Sequence, residues 1–445
     1  MPPTETITGI WPGVGSGPSA VRARELAELV VQRIGTTDDV LRHVARAAGQ
    51  ATYPAGWYPP SLSHGSAGLA LLHLESARAG IGEPERAFDA VREAVAATAT
   101  DPLQSAGLFG GTSGLALAVA ECARLEPRFR PSLDRLHDQL ARQVLDTQWP
   151  RMERHLADEH YDLISGAAGI LAYLASIEEP GQEVRRAAGE LAGFLIWLSQ
   201  AADDPGVPHR WLLTPDYYPP MSNHRQQYPH GYLNLGFSHG VPGIAAALAA
   251  AWGAGIREPG TRAAIDALTS WIRGTQGQDR FGPVWPEGVA VDERGVELSS
   301  HTHCDQLAWC YGTASVSAAL LTTARCTGDA ELLKVAVEGF ETALARTRAA
   351  ACASPTLCHG HAGILLLCLD FGEVSERARE MVPVLLDELI AYGDPALPLV
   401  FVDQERTGVH VDDPSLLTGA IGVALVLLAA TGDRRPGWFL PFTAR

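Results

Sequence analysis

Seven times along this 445-residue chain, a small-residue turn of the form G-x-x-G, or a close variant, opens an aliphatic segment. The first four are His64-Gly65-Ser66-Ala67-Gly68-Leu69, Gly110-Gly111-Thr112-Ser113-Gly114-Leu115, Ser165-Gly166-Ala167-Ala168-Gly169-Ile170 and His239-Gly240-Val241-Pro242-Gly243-Ile244. Cys310-Tyr311-Gly312-Thr313-Ala314-Ser315, His359-Gly360-His361-Ala362-Gly363-Ile364 and Thr418-Gly419-Ala420-Ile421-Gly422-Val423 complete the set. The leading glycines stand at 65, 111, 166, 240, 312, 360 and 419, so the intervals are 46, 55, 74, 72, 48 and 59 residues. Each interval holds two helices and a loop.

The segments after the glycines, such as Leu69 to Leu74, Ile170 to Leu174, Ile244 to Ala251 and Ile364 to Leu369, are apolar nearly all round. Such helices are buried on every side. Between them, Glu85 to Thr98, Ser132 to Leu145, Val184 to Leu198 and Glu331 to Arg346 repeat apolar residues at three- and four-residue steps and carry charge elsewhere. The pattern predicts an all-α (α/α) toroid of seven inner and seven outer helices, because each hairpin buries its inner face only when neighbours complete the ring. Glycine at every inner-helix start lets backbones crowd at one rim and is expected to leave N–H groups pointing into the central cavity. That rim is the expected active face.

The repeat runs without a Pro/Ser/Gly linker, so residues 1–445 read as a single toroid domain. Residues 1–60 form a helical lead-in, and 203–236 a rim loop insertion. The part of that loop from His209 to Tyr232 is rich in Pro, Tyr, His and Trp. It reads either as a peptide-contacting surface or as a local aromatic mini-core. The chain is 46% hydrophobic, yet its apolar runs break well short of the roughly 20 residues a membrane span needs. Residues 1–17 contain no Lys or Arg and no apolar stretch of signal-peptide type. Seven cysteines, an odd number spread over a long chain, indicate reduced thiols and a cytoplasmic location. A net charge of −17 argues against nucleic acid, anionic membranes and acidic substrates.

Two of the seven turns carry metal chemistry. Trp309-Cys310-Tyr311-Gly312 and Cys358-His359-Gly360-His361-Ala362-Gly363 together offer two thiolates and an imidazole from Cys310, Cys358 and His359. Zn2+ held by Cys2His, with its fourth position open, is a catalytic pattern, since structural zinc closes its tetrahedron with four protein ligands. The plainer alternative is that Cys310 and Cys358 are small buried hydrophobes. Just upstream, His301, His303 and Cys304 form a compact H-x-H-C cluster that lines the rim or binds a metal of its own. His359 and His361, two apart on one turn, cannot easily face the same ion.

These fragments resemble the lanthipeptide (lantibiotic) cyclases, the lanthionine synthetase C-like family, along nearly the whole chain. In that family the WCYG and CHG segments carry three zinc ligands, which fall here on Cys310, Cys358 and His359. The family's acid in a Y-D-x-I/L-x-G-x-x-G segment corresponds to Asp162, and its histidine in an N-L-G-x-x-H-G-x-x-G segment to His239. One position departs: bacterial members usually place Arg four residues before the WCYG cysteine, and this chain has Gln306.

The resemblance implies one zinc per chain and addition of a peptide cysteine thiol across a dehydroalanine or dehydrobutyrine of the same dehydrated precursor peptide, closing a thioether ring. It also allows for a separate dehydratase and exporter as partners. A free thiol, with a pKa of about 8.5, is only a few per cent ionised at neutral pH, and metal coordination overcomes that. His239 is the expected general acid, and a candidate for the base that first takes the thiol proton; Asp162 would orient its ring. Each also has a structural reading as a helix-start cap. Gln306 would offer the enolate only an uncharged hydrogen bond where Arg gives a cation. Rival readings are a non-catalytic peptide-binding scaffold and glutathione addition to dehydrated proteins. An (α/α) glycosidase or terpenoid cyclase is disfavoured, because no D-D-x-x-D or D-x-D-D run occurs.

Overall fold

The computed structural model describes residues 11–152, 156–204, 206–219, 222–298, 307–347 and 354–445. Its helices are α1 (Pro18–Arg33), α2 (Thr37–Gln50), α3 (Ser66–Arg78), α4 (Pro84–Ala97), α5 (Thr112–Ala123), α6 (Arg130–Asp146), α7 (Ala167–Ala175) and α8 (Gln182–Leu198). There follow the short α9 (His224–Gln227), then α10 (Val241–Gly253), α11 (Thr261–Gly274), α12 (Thr313–Thr327), α13 (Ala330–Thr347), α14 (His361–Phe371), α15 (Glu376–Ala391), α16 (Ala420–Thr431) and α17 (Leu440–Thr443). Among them, none is long and apolar enough to cross a membrane.

The seven glycine turns mark the starts of α3, α5, α7, α10, α12, α14 and α16, with Gly65, Gly111, Gly166, Gly240, Gly312, Gly360 and Gly419 in the residue before each helix. These helices pack side by side in chain order, and α16 returns to α3 to close the ring. Each rests on the amphipathic helix that follows it, from α3 on α4 to α14 on α15. The last inner helix, α16, has no following partner and is covered by α1, from the segment expected as a lead-in. Outer helices bury a stripe: α4 buries Ala87, Ala90, Val91 and Ala94, the i, i+3, i+4, i+7 spacing of one helical face. Inner helices bury almost every residue, as α16 does from Ala420 to Thr431. The architecture is the expected (α/α) toroid.

Close backbone approach explains the glycines. A Cβ on Gly65 would lie 2.0 Å from the Tyr58 carbonyl oxygen, and one on Gly169, the second glycine of its turn, 2.0 Å from that of Leu163. The helix-start N–H groups do not open into the cavity as expected. Carbonyls of the preceding turn take them: Thr112 donates to Ser105, and Gly240 to Gly236. Buried N–H groups require partners, and here the tight turn supplies them.

Neighbouring turns are also tied to one another. Leu62 and Ser63 donate to Phe109, Leu108 and Phe109 to Ile164, Leu163 to Ser238, Cys310 to Cys358, Cys358 to Leu417, and Leu416 to Ser63. The remaining junction uses side chains: Phe237 N–H donates to Ser315 Oγ at 2.9 Å, and Ser238 Oγ to the Cys310 carbonyl at 3.4 Å. The result is a hydrogen-bonded belt around the whole rim.

Short strands decorate the rim. β1 (Leu212–Leu213), β2 (Tyr232–Asn234) and β5 (Gly288–Ala290) form an antiparallel sheet, while β3 (Gly277–Asp279) pairs with β4 (Gly282–Val284) and β6 (Asp403–Arg406) with β7 (Val409–Val411). The aromatic stretch before β2 packs on itself. Tyr218, Tyr228 and Tyr232 form a small buried cluster, with the Tyr228 and Tyr232 rings stacked at 4.5 Å. Inside the toroid, Phe109, Trp309 and Phe442 meet at centroid distances of 5.1 to 6.0 Å, and the Trp309 indole N–H donates to the Phe442 carbonyl.

Glycine positions discriminate this packing sharply. Gly169→Ala is expected to destabilise the fold by about 1–3 kcal/mol or more through overpacking. Gly193→Ala, inside α8 where an added Cβ meets nothing within 4 Å, is expected to stabilise it by roughly 0.5–1 kcal/mol. Urea unfolding of the two variants checks both signs.

Candidate active site

The belt sets four consecutive turns side by side, and these carry the five residues expected to form the acid/base pair and the zinc site. Asp162 lies in the turn before α7, His239 before α10, Cys310 before α12, and Cys358 with His359 before α14.

Asp162 is 2% exposed and divides its carboxylate between two tasks. Oδ1 accepts the backbone N–H groups of Ser165 at 2.7 Å and Gly166 at 2.8 Å, which fixes the turn. Oδ2 accepts from His239 Nδ1 at 2.6 Å. Asp162 thus holds the turn that precedes α7 with one oxygen, rather than capping the helix itself, and contacts the His239 ring with the other. His239 is oriented with Nδ1 as the donor, so Nε2 is the nitrogen able to exchange a proton. Its ring is 37% exposed, open to the rim. Burial presses its ionisation down, but the hydrogen bond and charge of Asp162, aided by Asp158 and Cys358, outweigh this and raise its pKa. Asp158 is a second, half-buried carboxylate within electrostatic reach, and burial lifts its own pKa.

The second group is a thiol–imidazole cluster. Cys310 hydrogen-bonds Cys358, and Cys358 hydrogen-bonds His359. His359 Nε2 also meets Asp403 Oδ1 at 3.1 Å, and Ser354 Oγ donates to the same oxygen at 2.6 Å. The Cys310 bond, followed by the bond and charge of His359, holds the Cys358 thiol well below its ordinary pKa despite burial. Burial opposes ionisation of His359, but Asp403 and Cys358 raise its pKa. Protein interactions alone therefore favour a thiolate–imidazolium pair. Cys310, Cys358 and His359 are a donor set suited to a soft divalent cation, with Asp403 where a carboxylate commonly backs a metal-binding histidine. Among the described residues, no group of three or more His, Cys, Asp or Glu side chains is arranged to hold a metal ion. Here the three donors bond to one another.

Tyr311 joins the two groups. Its hydroxyl accepts from Asn234 Nδ2 at 3.1 Å, and its ring centroid lies 6.5 Å from that of His239. Gly312 follows with φ of 90°, a conformation that L side chains rarely adopt. His361 turns away, its Nε2 3.3 Å from Glu388 on the outer helix α15. His301, His303, Cys304 and Gln306 lie outside the described residues. The five described cysteines are free thiols. Sequence reasoning missed Asp403, Asp158 and Asn234. Only Asn234 lay inside a quoted motif, and Asp403 reaches His359 from a hairpin with no repeat signature.

The Asp162–His239 pair has a signed pH response. Because its folded pKa exceeds the unfolded value of about 6.5, His239 contributes stability that is fully present below that value and lost as pH rises through the folded pKa. In Asp162→Asn, burial is no longer opposed by the paired carboxylate, so the His239 pKa is expected to fall. An NMR titration of the His239 ring in both proteins checks this; an unchanged pKa would refute the pairing.

Comparison with known proteins identifies the family and the fold. The chain is similar to the Nisin biosynthesis protein NisC of Lactococcus lactis subsp. lactis, with 22% identity over 275 residues, 62% of this chain. The match spans 64% of that relative's length. The solved structure of nisin cyclase superposes with a TM-score of 0.73 at 20% identity, covering 95% of this chain and 97% of that one, a likeness of fold. The sequence model of the family described as Lanthionine synthetase C-like protein matches residues 56–441, more than four-fifths of the chain and all seven turns. The chain belongs to the lanthionine synthetase C-like family.

Proposed function

We propose that this chain is a lanthionine-forming peptide cyclase. The observation that carries the reading is the placement of a carboxylate-held imidazole, Asp162–His239, on the belt beside the Cys310, Cys358 and His359 donors. The reaction adds a cysteine thiol of a dehydrated precursor peptide to a dehydroalanine or dehydrobutyrine of the same peptide. The sulfur forms a bond to the β-carbon, the alkene π pair moves into an enolate, and a proton returns to the α-carbon. Nothing is oxidised or reduced.

One zinc ion per chain, held by Cys310, Cys358 and His359, would lower the pKa of a substrate thiol and keep its sulfur nucleophilic. Asp403 keeps the His359 ring turned toward the thiols and strengthens it as a donor. His239 holds the mobile proton on Nε2, with Asp162 fixing the ring and stabilising its cationic form. A raised His239 pKa keeps a share of the imidazole protonated near neutrality, the form that can donate to the α-carbon. Family membership and the toroid fold support the assignment. We also place the protein in the cytoplasm, in keeping with its free thiols.

A dehydrated, cysteine-containing peptide with free-thiol detection tests the activity. His239→Ala is expected to lower turnover about 10²–10⁴-fold. Asp162→Asn is expected to act through the same step, leaving the double variant no worse than His239→Ala alone. Full turnover in His239→Ala would overturn its role. Metal analysis tests the cation: wild-type protein is expected to hold one equivalent of zinc and the Cys310→Ala, Cys358→Ala double variant far less. A full equivalent in the double variant would refute the ligand assignment.

A further inference from the structure

A cavity of about 300 Å³ opens between α2, the segment 51–57 and the β6–β7 hairpin. His359 and Asp403 are among its lining residues, so it borders the imidazole end of the thiol–imidazole cluster. We propose that this cavity is a subsite for an apolar side chain adjacent to the reacting cysteine of the peptide, an assignment that rests on the cyclase reading.

The walls argue for hydrocarbon. Val44, Ala47, Ala51, Ala55, Trp57 and Val411 contribute apolar surface. The carboxylates present are engaged within the protein. Asp403 accepts from Ser354 and meets His359, Glu405 accepts the N–H groups of Thr52 and Tyr53, and Asp413 accepts from Ser415 and Thr418. The Glu405 bonds also fix the 51–57 segment against the hairpin, so the wall is built rather than loose. A volume of 300 Å³ is at the lower end of ligand pockets, enough for a side chain or two and too small for a folded peptide.

Its position selects which part of the peptide enters. The cavity touches the first, sixth and seventh turns through His64, His359 and Thr418. His239 and Asp162 belong to the fourth and third turns, on the other side of Cys310 along the belt. The alkene must present its α-carbon to His239, so it occupies that side. The strand that carries the attacking sulfur then lies on the opposite side, over the cavity. An apolar neighbour of the cysteine gains burial there, while a small or charged neighbour does not.

Two dehydrated peptides that differ only in having Leu or Gly beside the reacting cysteine test the subsite. Wild-type protein is expected to show a KM about 10-fold lower for the Leu peptide, the scale on which an apolar pocket discriminates. Ala51→Trp, which fills the cavity, should erase that preference by raising KM for the Leu peptide, with an unchanged far-ultraviolet circular dichroism spectrum as the control for folding. Ala55→Trp, at an exposed position of the same wall, gives a second test should the first variant fold poorly. Equal KM values in the wild type, or a preference that survives in the filled variants, would overturn the subsite. Calorimetric binding of unreactive versions, with Ser in place of the cysteine, separates the two readings. A Leu preference in binding without ring closure would sink the cyclase reading and keep the subsite. Ring closure without a Leu preference would do the reverse.

Discussion

The hydrogen-bonded belt that joins each inner-helix turn to the next, through backbone at six junctions and side chains at the seventh, is the interaction on which the rest depends. A single helix hairpin in this fold cannot bury its apolar inner face, and inner helices such as α16 are apolar on all sides. Packing alone would leave them free to slide along one another. The bonds from Leu62 and Ser63 through Ile164, Ser238, Cys358 and Leu417 back to Ser63 fix their axial register to within a hydrogen bond's tolerance. Glycine makes the belt possible, because a Cβ at positions such as 65 or 169 would occupy the space of the carbonyl oxygens below it. The turns that stabilise the ring are therefore the turns that position chemistry. Residues as distant in sequence as Asp162 and His359 are brought to one rim because their turns are joined along the same belt.

The fifth turn departs from the pattern with consequences for both groups in the site. Where the other turns place a second glycine, this one has Ser315, whose hydroxyl accepts the Phe237 N–H and substitutes for a backbone contact at that junction. Ser238 reaches the Cys310 carbonyl from the other side. Asn234 adds a third tie, donating to the Tyr311 hydroxyl while its own Oδ1 accepts the N–H of Gly236. The junction between the His239 turn and the Cys310 turn is thus built from side chains. Side-chain hydrogen bonds can be altered by single substitutions without removing a backbone link, which makes this junction the place where the spacing between imidazole and thiols can be tuned.

The ring was legible in the sequence because a seven-fold spacing of G-x-x-G turns before apolar segments admits few other solutions. What the repeat could not reveal was the role of α1, which covers α16 and so supplies the seventh outer helix from the opposite end of the chain. Amphipathic periodicity marks a helix as an outer one but is silent about which inner helix it covers. What the repeat made legible of the candidate site was its placement: Asp162, His239, Cys310, Cys358 and His359 all lie within four residues of a leading glycine, so the turns bring them to one rim. Asp403 comes from the β6–β7 hairpin, outside any repeat, and is identified by its contact with His359 alone. The aromatic stretch before β2 showed its composition but not its partner, and Tyr218, Tyr228 and Tyr232 prove to be partners of one another.

The two imidazole–carboxylate pairs of the candidate site, Asp162–His239 and Asp403–His359, rest on one kind of interaction. In each, the carboxylate side chain is nearly inaccessible, at 2% for Asp162 and 4% for Asp403, while the ring is 37% or 26% exposed. An ionised carboxylate so buried must be met by several donors. Ser165, Gly166 and His239 serve Asp162, and Ser354 and His359 serve Asp403. Both arrangements hold the ring's charge and raise its pKa. On His239 the gain favours the protonated ring, the form that the proposed proton transfer would use. On His359, the zinc ligand proposed above, a cation would have to displace the stabilised proton to reach the ring, so affinity at the thiol cluster would rise with pH. On that proposal, the carboxylate that would improve a metal ligand is also the group that would make its occupancy sensitive to acid.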